Sequence, residues 1–84
     1  MAKCIAHHKQ TTGKNLLRET LAQNMRRLRI EQNISQEELA FRCELDRTYI
    51  SAIERCVWNI SLGNIEKIAG ALKVEPWQLL LPPE

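Results

Sequence analysis

From Leu17 onward the apolar residues recur at intervals of three and four: Leu17, Leu21, Met25 and Leu28 form one stripe, with Arg26, Arg27 and Glu31 between them. Positions three and four apart share a helix face, so the spacing predicts a first helix ending near Gln32. Asn33 suits the left-handed residue that ends a helix. Ser35 followed by Glu38 reads as a capping box, in which each side chain satisfies a backbone N–H of the other, and it opens a second helix from Gln36 to about Cys43. Glu44 and Leu45 form the connection, and Asp46 is an N-cap for a third helix running to about Arg55. Asn59 to Ser61 break the pattern again, with Ser61 as cap. Leu62, Ile65, Ile68, Ala69 and Leu72 then line one face of a fourth helix. Glu75-Pro76 open a short final helix, because proline fits the first helical position. Trp77 and Leu80 give it an apolar side before Pro82-Pro83 stop it. Five helices and no strand make the expected class all-α.

Residues 1–14, MAKCIAHHKQTTGK, have no sustained periodicity and are expected to be a flexible basic N-terminal tail, leaving 15–84 as one domain. The 84 residues, 44% hydrophobic, suffice for one modest core but not for a core with a deep substrate cleft. No apolar run approaches the ~20 residues of a membrane span, and residues 1–20 lack the apolar segment of a secretory signal. The expectation is a soluble cytoplasmic protein with no membrane partner. Cys4, Cys43 and Cys56 cannot all pair within one chain and form no CxxC, which fits a reducing compartment, and Cys43 reads as a small core residue. CIAHH lacks the ligand spacing of a structural zinc site and has no second ligand pair, so no metal and no cofactor is expected.

Charge is distributed unevenly. Residues 1–34 hold seven Lys and Arg against Glu19 and Glu31, whereas residues 35–84 hold five against eight acids. Polyanion binders show such asymmetry, although a charge run is more often a solvated face. Catalysis has little to stand on. His7 and His8 fall in the tail, no Ser-His-Asp or Cys-His set converges, and no glycine-rich phosphate loop exists. The adjacent Glu37 and Glu38 suit the dipole at a helix start. The chain is not expected to be an enzyme.

The third helix carries the sharpest signal. At about 100° per residue from Arg47, Ser51 falls near 40°, Arg55 near 80°, Thr48 near 100° and Ala52 near 140°, whereas Tyr49, Ile53 and Ile50 fall near 200°, 240° and 300°. One arc is apolar; the other combines hydroxyls, a small alanine and two arginines, with no long acid. A helix set into a DNA major groove needs those groups: guanidinium and hydroxyl donors for base edges or phosphates, and small residues for close approach. Surface filler is the competing explanation of the arc taken alone. The preceding helix, capped at Ser35 and joined by a short turn, adds helix-turn-helix organisation, with Ala40 small where the two helices cross.

MRRLRIEQNISQEELAFRCELDRTYISAIER, continued by NISLGNIEKIAGALKVEPWQLL, resembles the lambda-repressor-like (Cro/XRE-type) helix-turn-helix regulators over roughly Leu17 to Leu81. The DRTYIS-IER core is similar to restriction-modification controller proteins and small prophage-type regulators. The resemblance implies a five-helix DNA-binding domain that binds a pseudo-palindromic operator as a homodimer and regulates nearby genes. It implies that Gln36 meets a phosphate, that Arg47 and Thr48 read bases, and that Ser51 and Ala52 continue the groove face. Tyr49 also approaches DNA in controller-like members, Arg55 lies on the same arc, and Asn59 starts the loop that grips the second phosphate flank. Arg29 and Glu54 match the family's buried ion pair.

Three positions depart from the pattern. Glu44 stands where many such turns have Gly, so the backbone must avoid or tolerate a left-handed residue there. Cys56 replaces a common Gly or Asn, and Trp58 replaces a frequent Arg. Trp58 fits either packing on the core or lying against sugar-phosphate. Trp77, Leu79, Leu80 and Leu81 crowd more apolar side chain into the C-terminus than one small core readily covers, so they are dimer-interface candidates. The rival reading is an antitoxin-like or prophage regulator of the same fold whose main partner is another protein.

Overall fold

Each of α2, α3 and α4 starts at a side chain that accepts a backbone N–H the helix itself leaves without a partner. These helices are Gln36–Cys43, Arg47–Glu54 and Leu62–Leu72; α1, Leu16–Glu31, precedes them and a 3-10 helix, Pro76–Leu80, follows. Ser35 Oγ accepts from the amide of Glu38 at 2.9 Å, Asp46 Oδ1 from Thr48 at 2.9 Å, and Ser61 Oγ from Asn64 at 3.1 Å. The structure is a computed structural model that describes residues 16–82. The expected N-terminal tail, with Cys4, His7 and His8, lies outside the described residues. There is no strand among the described residues.

The capping box at Ser35 forms only in half. The Glu38 carboxylate turns along its own helix and accepts from Arg42 Nε at 2.8 Å, an exposed pair one helical turn apart.

The expectation of five helices is corrected to four α-helices and one 3-10 turn. Pro76 starts that last element, and Gln78 N–H reaches back three residues to the Glu75 carbonyl at 2.9 Å. An α-helix does not extend from it because the backbone is captured from outside. Asn24 Nδ2 donates to the carbonyls of Leu79 and Leu81 at 2.7 and 2.8 Å, and Pro82 follows. Asn24 is itself buried in α1, where both amide hydrogens are satisfied and Arg27 donates to its Oδ1 at 3.3 Å.

Helix ends follow one rule. Asn33, Glu44, Cys56 and Lys73 all have φ between 60° and 63°, and in each case the next residue, Ile34, Leu45, Val57 or Val74, donates its N–H to the carbonyl five positions back at 2.9–3.0 Å. This is the Schellman closure, in which a left-handed residue turns the chain and an aliphatic one follows it. Glu44 therefore tolerates the left-handed conformation.

α2 packs against α3 and α4, and α1 against α3 and the 3-10 helix. Leu21, Met25, Leu39, Ile50, Ile53, Ile65, Ile68, Leu72 and Leu79 form the shared core. Cys43 joins it, and burial pushes its thiol up to about 11 against an opposing pull from Lys67. Leu17 and Leu62, each in the first turn of its helix, project from their expected stripes into solvent. They edge a shallow apolar groove of about 230 Å³ with Leu21, Ile60, Ile65 and Leu80.

Because a side chain in the left-handed region is strained by roughly 1–2 kcal/mol, and glycine recovers part of this, Glu44→Gly is expected to stabilise the domain by about 0.5–1 kcal/mol. Urea denaturation measures it. A destabilised variant would show that Glu44 makes a contact outweighing its backbone strain.

Candidate nucleic-acid interface

α3 separates into a buried and an exposed arc because branched apolar residues occupy one side of it. Ile50 and Ile53 are fully inside, while Arg47, Thr48 and Arg55 are exposed and Ser51 is half-buried. The acceptor that anchors the start of this arc, Asp46, commits one carboxylate oxygen to the Thr48 amide. No acid lies on the exposed arc itself.

Ala52 departs from its expected place. It is only 2% exposed, so it cannot contribute a surface contact, and its value to α3 is its small size on the side that closes against the bundle. On the wheel it sits at the border of the two arcs, where a shift of one neighbouring helix decides between solvent and core. α1 packs against α3, Ala22 of α1 is likewise buried, and Cys56 Sγ, just past the end of α3, lies 3.8 Å from the Arg18 carbonyl of α1.

Tyr49, across that same border at about 200° on the wheel, is half-buried. Its hydroxyl accepts a hydrogen bond from Asn64 Nδ2 of α4 at 2.9 Å. Its ring lies 6.0 Å, centroid to centroid, from that of Trp58, tilted by 40°. Trp58 thus packs on Tyr49 rather than on the core, and it stays 48% exposed. Asn59, next in the loop, is exposed. Sequence reasoning missed Asn64 altogether. Its place three residues after the Ser61 cap marked it as a first-turn residue, and nothing in the pattern indicated that α4's first turn faces Tyr49.

A buried polar knot lies behind this surface. Arg29 donates from Nε and Nη2 to the two oxygens of Glu54 at 2.8 and 3.0 Å, and from Nη1 to the Ile34 carbonyl at 3.0 Å. Gln36 Nε2 adds a third donor to Glu54 at 3.0 Å. The expected Arg29–Glu54 pair is present, with side-chain exposures of 13% and 4%. Gln36 differs from expectation, because its side-chain amide nitrogen is engaged inside the protein. Its backbone N–H, at the open end of α2, is one of those that an α-helix leaves without an internal partner, and such groups attract anions.

At the opposite end of the chain, Leu79 is 0% exposed. It belongs to the core and is withdrawn from the surface candidates; Asn24 pulls the backbone at that residue inward. Trp77 is 59% exposed, Leu81 is 48% exposed, and Leu80 is partly buried. No described helix is long and apolar enough to cross a membrane.

A sequence family described as helix-turn-helix matches residues 25–76. The chain is 62% identical over 68 residues to a hypothetical transcription factor of Neisseria meningitidis serogroup B, covering 81% of this chain and 64% of that protein. The chain thus spans less than two thirds of that relative. It is 54% identical over 67 residues to control protein C.BamHI of Bacillus amyloliquefaciens, covering 79% of this chain and 83% of the relative. A crystal structure of a Neisseria hypothetical transcription factor superposes with a TM-score of 0.78 at 63% identity, over 80% of this chain and 77% of the other. The restriction-modification controller protein C.Esp1396I, solved as a tetramer with its natural 35 base-pair operator, superposes with a TM-score of 0.70 at 35% identity, over 75% and 83% of the two chains.

Removing one partner of a buried ion pair leaves the other charge without compensation, so Glu54→Ala is expected to cost about 3–5 kcal/mol. Arg29→Lys recovers only part of a comparable loss, because an ammonium cannot bridge both carboxylate oxygens and the Ile34 carbonyl at once. Chemical denaturation of both variants tests this. A loss below about 1 kcal/mol for Glu54→Ala, the value of a surface pair, would refute the role of the knot.

Proposed function

The chain belongs to the helix-turn-helix family, and from that premise we propose that it is a sequence-specific DNA-binding transcriptional regulator, acting in the cytoplasm as a homodimer on a pseudo-palindromic operator. The observation that carries this reading is the exposed arc of α3: two arginines and hydroxyl groups, no acid, and a rigid apolar back that fixes their direction. In a major groove, Arg47 and Thr48 meet base edges at the start of the helix and Ser51 follows one turn later. Arg55 and Asn59 lie toward one phosphate flank. The backbone N–H of Gln36, with the positive end of the α2 dipole, meets the other.

The operator complex of C.Esp1396I supports operator binding by an assembly of subunits in a protein of this fold. The exposed Trp77 and Leu81, with the partly buried Leu80, are the residues proposed for a two-fold contact between subunits. Such a dimer sets its recognition helices about 34 Å apart, one turn of DNA. The similarity to control proteins favours regulation of the controller type.

Selection of bound duplexes from random DNA, with the wild-type protein and with Arg47→Ala, tests the proposal. The wild type is expected to enrich a palindrome. Arg47→Ala is expected to lose about 1–3 kcal/mol and to relax two symmetric positions. Equal loss on operator and random DNA would remove Arg47 from base reading. Failure of a folded wild-type protein to enrich any sequence would favour a protein partner instead.

Affinity is also expected to fall steeply with salt, through release of counterions condensed on DNA. A salt-insensitive affinity would contradict neutralisation of phosphates by Arg55 and the other cationic side chains of this face.

A further inference from the structure

Tyr49 lies at the edge of the α3 arc, and its hydroxyl is already engaged within the protein. A phenol offers one O–H donor together with acceptor lone pairs on the same oxygen. Conjugation with the ring keeps the O–H bond in the ring plane, so the hydrogen takes one of two in-plane directions. Asn64 Nδ2 approaches at 2.9 Å as a donor and therefore occupies one direction with a lone pair. The hydrogen is left in the other.

The ring has little freedom to escape this choice. Trp58 packs on it at 6.0 Å, and Tyr49 is partly buried against the core. Asn64 is itself fixed, because α4 starts at the Ser61 cap, which accepts the Asn64 backbone N–H. The polarity of a group on the edge of α3 is thereby set by a residue of α4, 15 positions away in the chain.

We infer that Asn64 is a positioning residue that makes Tyr49 an obligatory hydrogen-bond donor toward duplex DNA, so that the first turn of α4 limits what α3 reads. This rests on the reading of α3 as the DNA-facing helix. The recognised group is an acceptor: a thymine O4, a guanine O6 or N7, an adenine N7, or a phosphate oxygen. An amino edge of adenine or cytosine meets a hydrogen instead of a lone pair and is disfavoured.

Asn64→Asp tests the inference, since an ionised carboxylate only accepts. It accepts a hydrogen bond from the Tyr49 hydroxyl and leaves the oxygen lone pairs outward. The added charge also repels DNA, so the substitution is compared in two backgrounds, wild type and Tyr49→Phe. Binding to the selected operator and to random duplexes is measured by fluorescence anisotropy at one salt concentration. Far-UV circular dichroism and thermal melting establish that each variant is folded.

The expected result is a loss on Asn64→Asp at least about tenfold greater with Tyr49 present than with Tyr49→Phe, the scale of one hydrogen bond left unsatisfied. If the acceptor is a base, the extra loss appears on the operator alone, and repeating the selection with Asn64→Asp moves two symmetric positions toward adenine or cytosine. If it is a phosphate, the extra loss is the same on all duplexes. Asn64→Leu removes the donor without adding charge, and in the Tyr49 background alone it is expected to cost about twofold, because the hydroxyl regains both orientations and only one of them donates to DNA.

Equal losses in the two backgrounds would overturn the inference, as would unchanged affinity on Tyr49→Phe. Equal losses are also the outcome when the carbonyl of Asn64, rather than its NH₂, faces the tyrosine. In both cases the wild type still binds its operator, so the assignment of α3 survives. A folded wild-type protein that binds no duplex sinks both readings.

Discussion

The interaction on which the rest of the structure depends is the two-pronged contact between Arg29 and Glu54. A carboxylate with 4% side-chain exposure must have its oxygens filled, and three donors converge on it from Arg29 of α1 and Gln36 of α2. The remaining Arg29 nitrogen reaches the Ile34 carbonyl in the α1–α2 connection. One acid near the end of α3 thereby ties together three helices and a turn. Its net energy is modest, because desolvation offsets much of the Coulomb attraction, but every displaced arrangement leaves a buried charge unpaired. The penalty for alternatives fixes the tilt of α3, and with it the direction in which Arg47, Thr48 and Arg55 project.

The same demand for partners recurs at the ends of the helices. Four left-handed residues followed by Ile34, Leu45, Val57 and Val74 turn the chain without glycine. Gln32 Nε2 closes the Leu72 carbonyl at the end of α4 at 2.7 Å, and Asn24 closes two carbonyls of the C-terminal segment. Backbone groups that a short helix cannot satisfy are thus met by amide side chains of α1 and the turn just after it. This makes α1 the scaffold against which the reading helix and the apolar C-terminal edge are both positioned. Trp77 and Leu81 stand outward because Leu79, held between them, is pulled inward.

Much of the fold was legible because it is local. A period of three to four residues, the caps Ser35, Asp46 and Ser61, and proline at position 76 are written within a few residues of the structures they cause. The resemblance supplied the expectation of an Arg29–Glu54 pair, which no periodicity contains. The misreadings share a cause: each concerns a residue at the border between a helix's inner and outer face, or a side chain with two uses. Ala52 and Leu79 went inward, Leu17 and Leu62 outward, Gln36 chose a partner inside the protein, and Glu38 chose an exposed one along its own helix. Angles on a wheel are good to about one residue's width, whereas burial at a border is decided by where the neighbouring helix lies.

By itself, then, the sequence determined the positions and approximate extents of the four α-helices, though not the 3-10 character of the last turn, together with the caps of α2, α3 and α4, the apolar inner side of α3 and the basic, hydroxyl-rich character of its other side, because these arise from contacts between residues close in the chain. Tertiary structure alone decided that Tyr49 meets Asn64 and Trp58, that Gln36 and Arg29 share one carboxylate, and that the final apolar run is split between core and surface. Those outcomes depend on distances between segments up to 57 residues apart, set by how four helices close around a common core. No local pattern encodes that packing, because the same stripe of side chains is compatible with several crossing angles until the buried polar groups select one.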